Sequence, residues 1–290
     1  MSTISDDPLY RDPSLAQFYD TANRWGPDFD FCMTLAEGAQ SLLDLGCGTG
    51  ELTAALAATR IVTGVDPAAA MLEIGRARPG GDKVEWVEGD ARTVRLGKRY
   101  DLIVLTGHAF QVFLTEEDQR AALATIAAHL SPAGRFVFDT RNPSFQRERD
   151  ICHSSVRQLE HQELGVIEAS DESHYDETTG ILSYENGYRV LATGEHFAGR
   201  SKILYTPARQ ALGLDARCQA NRRCMVWRLG RQPLPCAVAR DHSSWAACLN
   251  RKGSVFTQFR TQNRFTLLLE LLQYCSHVVA VSSGSSVLFV

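Results

Sequence analysis

Short apolar runs alternate with amphipathic stretches over the first 150 residues of the chain. Five of these runs predict β-strands, over Ser41–Leu45, Ile61–Asp66, Val84–Glu88, Tyr100–Leu105 and residues 135–139. The stretches between them have helical spacing and predict helices over residues 51–58, 67–77 and 116–130. Because strands that alternate with helices form right-handed crossovers, the pattern predicts an α/β fold whose mostly parallel sheet carries helices on both faces.

The residues before the first strand have a different pattern. Residues 15–20 and 29–36 predict two short amphipathic helices around a turn at Gly26-Pro27. We therefore interpret residues 1–40 as helices that cover the α/β domain of residues 41–150.

The residues after the fifth strand change to a period of two. Apolar and polar positions alternate along residues 165–171, 181–191 and 201–205, with turn signals between them. This pattern predicts an antiparallel β insert over residues 151–205, which serves either as a lid on a substrate or as a dimer surface.

Composition and charge narrow the class of protein. The 290 residues carry a formal charge of −4, and no stretch holds 18 uncharged apolar residues. We expect no nucleic-acid partner and no membrane span, and the acidic start without an apolar signal region favours a cytoplasmic protein. Eight Cys without any CxxC pair fit reduced thiols, and the His residues of the insert lack metal-ligand spacing, so we expect no metal site.

The first predicted strand runs into a glycine loop, Gly46-Cys-Gly-Thr-Gly50. Its GxGxG spacing differs from the GxGxxG of dinucleotide sites, and two carboxylates, Asp44 and Glu51, flank it. Carboxylates repel a diphosphate and attract a cationic, zwitterionic group. Asp66 ends the second strand, where it suits a ribose diol, and Asp90 follows the third, where it suits an adenine amine. S-adenosylmethionine has these three features and no phosphate.

At these positions the chain resembles the class I S-adenosylmethionine-dependent methyltransferases, and within them a bacterial subgroup that acts on small molecules. Five segments carry the resemblance in order: LDLGCGTG at 43–50, TGVDP at 63–67, VEGDA at 87–91, YDLIV at 100–104 and LSPAG at 130–134. The resemblance implies a Rossmann-like fold. It also implies that the cofactor is bound by Tyr19, Asp44, Gly46, Cys47, Gly48, Gly50, Asp66, Pro67, Asp90, Ala91, Thr106 and Gly107.

The resemblance also assigns roles to these residues. The loop at Gly46 would cradle the methionine end, Asp66 the ribose, and Asp90 with Ala91 the adenine. Tyr19 would lie over the cofactor as a lid, the alternative being that it only packs the cover helices onto the sheet. Cys47 is expected to be structural rather than nucleophilic.

The rim after the fourth and fifth strands holds the candidate residues for catalysis and substrate binding. His108 follows the fourth strand and would act either as a general base or as a neutral hydrogen-bonding residue beside the methionine group. Arg141 and Asn142 follow the fifth strand and would bind a polar acceptor, although Asn-Pro also suits a simple turn.

Residues 206–290 are anomalous. Residues 1–205 contain 31 Asp and Glu against 19 Lys and Arg, whereas residues 206–290 contain 3 against 11, together with five of the eight Cys. The resembling subgroup has a Gly-Asp-Trp…Ser-Pro stretch and a Ser-Pro-Glu-Ile-Ile-Val-Val stretch in this part of the chain. Codons exist for residues 226–235 and 238–245 that spell both stretches when read one base later.

We therefore hypothesise a one-base frameshift between about Tyr205 and Leu212, which leaves an out-of-frame tail. The alternative is a genuine basic interaction module. On the frameshift hypothesis strands six and seven are missing or non-native, and the edge of strand five is exposed.

These observations predict an enzyme that transfers a methyl group from S-adenosylmethionine to the O, N or C atom of a small-molecule acceptor, as a monomer or homodimer. The alternatives are a non-catalytic S-adenosylmethionine-binding protein or inactive frameshifted paralogue, and, less favoured by the loop spacing, a nicotinamide dehydrogenase.

Overall fold

The computed structural model of the chain describes residues 7–141, 152–206, 280–283 and 286–289, the last two ranges and Arg141 as backbone only. Seven strands form the main sheet: β1 (Ser41–Leu45), β2 (Ile61–Asp66), β3 (Val84–Glu88), β4 (Tyr100–Leu105), β5 (Leu130–Arg141), β10 (Ala280–Ser283) and β11 (Ser286–Phe289). Their order is β10-β11-β5-β4-β1-β2-β3. Strands β1 to β5 pair in parallel, as predicted, and β11 pairs antiparallel with both β5 and β10.

We expected strands six and seven to be missing or non-native, and the described residues include two strands at this edge, β10 and β11. Backbone groups of residues 286–289 pair with residues 138–141 of β5, so the edge of β5 that we expected to be exposed is covered. The physical reason is that a free strand edge presents unpaired N–H and C=O groups, which a short apolar segment can satisfy. Residues 207–279, which hold most of the anomalous tail, lie outside the described residues, so the reading-frame hypothesis stays a prediction.

Seven α-helices lie within the described residues. Four belong to the segment before β1: α1 (Pro8–Arg11), α2 (Pro13–Ala16), α3 (Tyr19–Ala22) and α4 (Pro27–Leu35). The others are α5 (Glu51–Leu56), α6 (Ala69–Ala77) and α7 (Glu116–His129). Proline at the first turn starts α1, α2 and α4, because its missing N–H would have no partner there in any case.

The strand β5 is longer than its predicted core of residues 135–139. Residues 131–134, which lie between the predicted helix and the predicted fifth strand, belong to the strand, and its register with β4 shifts between Tyr100 and Leu102. The extra residues are therefore absorbed as an irregularity within the sheet rather than as a separate turn.

The predicted β insert is a second, antiparallel sheet of four strands in sequential order: β6 (Cys152–His161), β7 (Gly165–Asp176), β8 (Ile181–Val190) and β9 (His196–Leu204). Three of the four correspond to predicted strands. The fourth, β6, was not predicted, because most of its residues are exposed and its apolar positions do not alternate.

The inner face of the second sheet packs on the N-terminal helices. Phe18 is fully buried and stacks on Tyr188 of β8 with ring centroids 4.4 Å apart, next to Leu15 and Ile167. Aromatic pairs of this size bury large apolar areas. The N-terminal segment therefore lies between the main sheet and the second sheet. No helix in the described part of the chain is long and apolar enough to cross a membrane.

Candidate active site

The glycine loop follows β1 and is held against β2. The N–H groups of Gly46 and Cys47 both donate to the Val65 carbonyl, at 2.7 and 3.1 Å. Gly46, Gly48 and Gly50 all have left-handed backbone, with φ of +69°, +53° and +73°. At Gly50 a β-carbon would also lie 2.2 Å from the Trp86 indole. The loop conformation thus requires glycine at these three positions.

Asp66, at the end of β2, anchors this loop. Its two carboxylate oxygens accept hydrogen bonds from the Gly48 N–H at 2.8 Å and the Ala68 N–H at 2.9 Å. Burial raises the pKa of Asp66, and these two backbone hydrogen bonds oppose the shift. A carboxylate offers about four lone-pair sites, so the side chain can still accept hydrogen bonds from a ribose diol. Pro67, which follows it, is half-buried.

Asp44 lies beneath the loop. Its carboxylate is 3% exposed and accepts a hydrogen bond from the Thr53 hydroxyl at 2.6 Å. Burial raises the pKa of Asp44 to about 7, against the opposing effect of the Thr53 hydrogen bond. Burial likewise raises the pKa of the Cys47 thiol, which therefore stays protonated. That state agrees with the structural role expected of Cys47.

Asp90, after β3, is engaged by a neighbouring guanidinium that the sequence analysis did not consider. Arg92 donates to both oxygens of Asp90, at 2.6 and 3.0 Å, and to Asp118 at 2.9 Å. Burial raises the pKa of Asp90, but the hydrogen bonds from Arg92 outweigh it and leave the pKa lowered. Asp90 is therefore an ionised carboxylate. An adenine amine would have to donate to an oxygen that already accepts a hydrogen bond from Arg92. Ala91 beside it is buried.

Tyr19 stands over the glycine loop and is held there by its neighbour in sequence. Asp20 accepts a hydrogen bond from the Thr49 hydroxyl and one from Arg78, each at 2.5 Å, and Arg78 also donates to the Thr49 carbonyl at 2.8 Å. These contacts fasten the N-terminal segment to the loop. Burial, with the charge of Asp66, raises the pKa of Tyr19, so its hydroxyl stays neutral. Asp20 and Arg78 are 58 residues apart, so no local pattern predicts that they pair.

The rim after β4 contains Thr106, which is buried, and then two consecutive residues with left-handed backbone, Gly107 and His108, both at φ +66°. His108 is the one non-glycine residue with positive φ in the described ranges. Its N–H lies 3.1 and 3.2 Å from the two carboxylate oxygens of Asp139 on β5, and its Nδ1 contacts the same carboxylate. The Asp139 side chain is 5% exposed and that of His108 is 29% exposed.

Of the candidate acceptor-binding residues after β5, Arg141 is described only as the last backbone position of the strand, and Asn142 lies outside the described residues. Their roles stay predictions.

A cavity of about 270 Å³ lies where the N-terminal segment, the β4 rim and the second sheet meet. Tyr19, Gly107 and His108 line one side, and residues of β7 and β8 line the other. Tyr10, Tyr184 and Asp171 also line it and were not predicted from the sequence. For Asp171 and Tyr184, the available signal was their polarity on strands whose inner face is otherwise apolar.

The donor set fits S-adenosylmethionine on structural grounds. The loop provides a cradle in which the Gly48 position is open towards Tyr19, and the buried carboxyl groups of Asp44 and Asp66 lie beside it. The described residues contain no cluster of three or more His, Cys, Asp or Glu that could hold a metal ion.

Comparisons with known proteins identify methyltransferases as relatives of the first half of the chain. Residues 42–134 match the model of a methyltransferase domain family. The cypemycin N-terminal methyltransferase of a Streptomyces species is 36% identical over 110 residues, which is 37% of this chain and 45% of that protein. The chain thus spans less than half the length of the curated relatives that it matches first.

Solved structures show the same fold at lower identity. The sugar N-methyltransferase KedS8 from Streptoalloteichus superposes with a TM-score of 0.62 at 20% identity, covering 75% of this chain and 87% of that one. CalS10, an amino pentose methyltransferase from Micromonospora echinaspora with S-adenosylmethionine bound, superposes with a TM-score of 0.57 at 24% identity, covering 72% and 89%.

Proposed function

We propose, from the premise that residues 42–134 are a class I S-adenosylmethionine-dependent methyltransferase domain, that the chain transfers a methyl group to a small-molecule acceptor. The observation that carries the proposal is that a cofactor cradle lies next to a polar cavity that is partly open to solvent. Three glycines with positive φ and the carboxylates of Asp44 and Asp66 form the cradle, and Tyr19 belongs to both the cradle and the cavity.

When bound, S-adenosylmethionine supplies an electrophilic methyl group on a sulfonium. The protein has to hold donor and acceptor in line and exclude water, since proximity and desolvation supply most of the rate for a displacement of this kind. The N-terminal segment, fastened to the loop by Asp20, closes the cavity from one side, and the second sheet closes it from the other.

His108 is positioned to accept a proton from the acceptor. Its Nδ1 contacts the Asp139 carboxylate, which favours a proton on Nδ1 and leaves Nε2 as the acceptor nitrogen. A general base is required only where the acceptor reaches the site protonated. We assign His108 to that role and Asp139 to positioning it.

Calorimetric titration with S-adenosylmethionine, S-adenosylhomocysteine and NAD tests the ligand class. The proposal requires that the first two bind and that NAD does not. Clear NAD binding without the others would favour the dehydrogenase. Release of labelled methyl to a panel of acceptors then separates an enzyme from a protein that only binds the cofactor.

A further inference from the structure

The inner face of the second sheet is polar where it meets the cavity. Along this face, one apolar cluster contains Ile167 and Val190, and another contains Leu182 and Ile203. Between the two clusters the same face carries four polar residues that line the cavity: Asp171, Ser173, Tyr184 and Asn186. Asp171 pairs in register with Asn186, and Ser173 with Tyr184. If this stretch only packed against the N-terminal helices, we would expect apolar residues on it. Because its residues are polar, the stretch indicates a polar ligand.

Aromatic rings complete the wall opposite the rim. The hydroxyls of Tyr10 and Tyr184 are hydrogen-bonded at 2.7 Å, and the Tyr10 ring meets that of Tyr19 edge to face with centroids 6.1 Å apart. These three tyrosines come from three separate elements and form one continuous surface. Tyrosine faces carry negative potential and attract cations within about 6 Å.

Carboxylates stand on both sides of this aromatic surface. Asp171 faces the cavity from β7, where it also accepts a hydrogen bond from the Ser155 hydroxyl and lies 3.7 Å from His153 Nε2. Asp139 lies behind His108 on the opposite side. Arg157 is the lining residue of opposite charge. It is exposed and donates to the Ala22 carbonyl at 3.5 Å, and the Asp171 side chain is 41% exposed, so solvent screens both charges, whereas the Asp139 side chain is only 5% exposed and is screened less.

We propose that the acceptor is a primary or secondary amine on a small polar molecule of about one ring, bound as its cation by Asp171 and the Tyr10–Tyr19–Tyr184 surface. This inference rests on the proposed function. An alcohol could use the hydrogen bonds of this wall, but only an ammonium group also uses its negative charge and its ring faces. The cavity, at about 270 Å³, has room for an acceptor of about one ring.

Transfer of the methyl group to an ammonium requires the removal of one proton, the formation of an N–C bond and the breaking of a C–S bond. The ammonium loses one proton, which passes to His108 or to water, and the freed nitrogen lone pair forms the new N–CH₃ bond. The carbon–sulfur bond of the methyl sulfonium donor breaks at the same time, and its electron pair remains on sulfur as a neutral thioether. A histidine can accept a proton from an ammonium, whose pKa is near 10, far more readily than from an alcohol.

Binding of matched pairs tests the proposal. The full chain, saturated with S-adenosylhomocysteine, is titrated with trans-4-aminocyclohexanol against trans-1,4-cyclohexanediol, and with glucosamine against glucose. We expect the amine of at least one pair to bind about tenfold more tightly than its hydroxyl partner. Asp171→Asn should remove that preference. Glu172→Gln, the neighbouring position on the opposite face of β7, should retain it.

A panel in which no amine binds more tightly than its hydroxyl partner would overturn the proposal, as would a preference that survives in Asp171→Asn. Methyl transfer assayed with the same compounds tests the amine acceptor separately from the methyltransferase function. Transfer to hydroxyl groups alone refutes the amine but leaves the methyltransferase intact. Failure to bind S-adenosylmethionine at all refutes the proposed function itself.

Discussion

The carboxylate of Asp139 binds both the backbone and the side chain of His108. It accepts hydrogen bonds from the His108 N–H and contacts the imidazole Nδ1. His108 is held in a left-handed backbone conformation that costs a non-glycine residue of order 1 kcal/mol or more. Strain of this kind persists where the surrounding structure compensates it, and here the same carboxylate compensates it and orients the ring.

Replacing His108 should therefore affect turnover more than cofactor binding. Asn tolerates the left-handed conformation, so His108→Asn should fold and lower kcat by about 100-fold, within the range of general-base effects. We expect the Kd for S-adenosylmethionine to change less than threefold. Labelled methyl transfer and calorimetry measure the two quantities, with the exposed His196→Asn as the control. A large loss of cofactor affinity with unchanged kcat would instead place His108 beside the methionine group.

Arg78 should affect the cofactor site although it lies outside the cavity. Arg78→Ala removes the hydrogen bonds that fasten Asp20 and the Thr49 carbonyl, so Tyr19 loses its support over the loop. Charge-assisted hydrogen bonds contribute about 1.5–3 kcal/mol, and we expect the Kd for S-adenosylmethionine to rise about tenfold. Arg76→Ala, in the last turn of α6 and two residues before Arg78, removes only an exposed pair with Glu73 and should leave the Kd unchanged. Equal effects of the two substitutions would refute the fastening role.

Gly75 is required by the packing of Trp86. A β-carbon at Gly75 would lie 2.8 Å from the Trp86 ring, whose N–H donates to the Gly81 carbonyl at 2.8 Å. Gly75→Ala should lower the free energy of unfolding by about 1–3 kcal/mol through overpacking, measured by urea denaturation. The double variant Gly75→Ala with Trp86→Phe should lose less free energy of unfolding than the two single variants lose together, because the smaller ring relieves the clash. Simple additivity would show that the two residues do not interact.

Asp44 should make the stability depend on pH. Its pKa is raised by burial to about 7 in the folded chain, whereas an unfolded Asp titrates near 4. Between these values the folded chain keeps a proton that the unfolded chain has lost. The free energy of unfolding should therefore fall as the pH rises, by about 1.4 kcal/mol per unit, and level off above pH 7. Urea midpoints at pH 5 to 8 measure the trend, and Asp44→Asn should lack this contribution.

The tail hypothesis leads to a prediction about DNA. If residues beyond about 205–212 are translated out of frame, the gene read one base later should encode Gly-Asp-Trp and then Ser-Pro-Glu-Ile-Ile-Val-Val, followed by a stop. A corrected chain should then unfold at a higher urea concentration than the present one. A gene whose codons spell neither stretch would leave residues 206–290 as a genuine tail.

The sequence predicted the parts of the fold that depend on local pattern. Strands β1 to β4 were predicted within their observed bounds because each is a short apolar run next to a turn. Strand β6 was not predicted, because an exposed edge strand has no apolar face and therefore no alternating apolar pattern. The same holds for the site: residues close together in the sequence could be predicted, and residues brought together only by folding could not. The glycine loop is local in sequence, whereas Tyr10 and Tyr184 are 174 residues apart and meet only in the folded chain.

Phe18, Tyr19 and Asp20 are consecutive, yet they face three different partners: the second sheet, the cavity and the glycine loop. Successive residues of a helix point about 100° apart, so the division of roles depends on their phase. A single insertion or deletion nearby would rotate all three together and assign each side chain to the wrong surface. This segment should therefore diverge among homologues by substitution while its length stays constant.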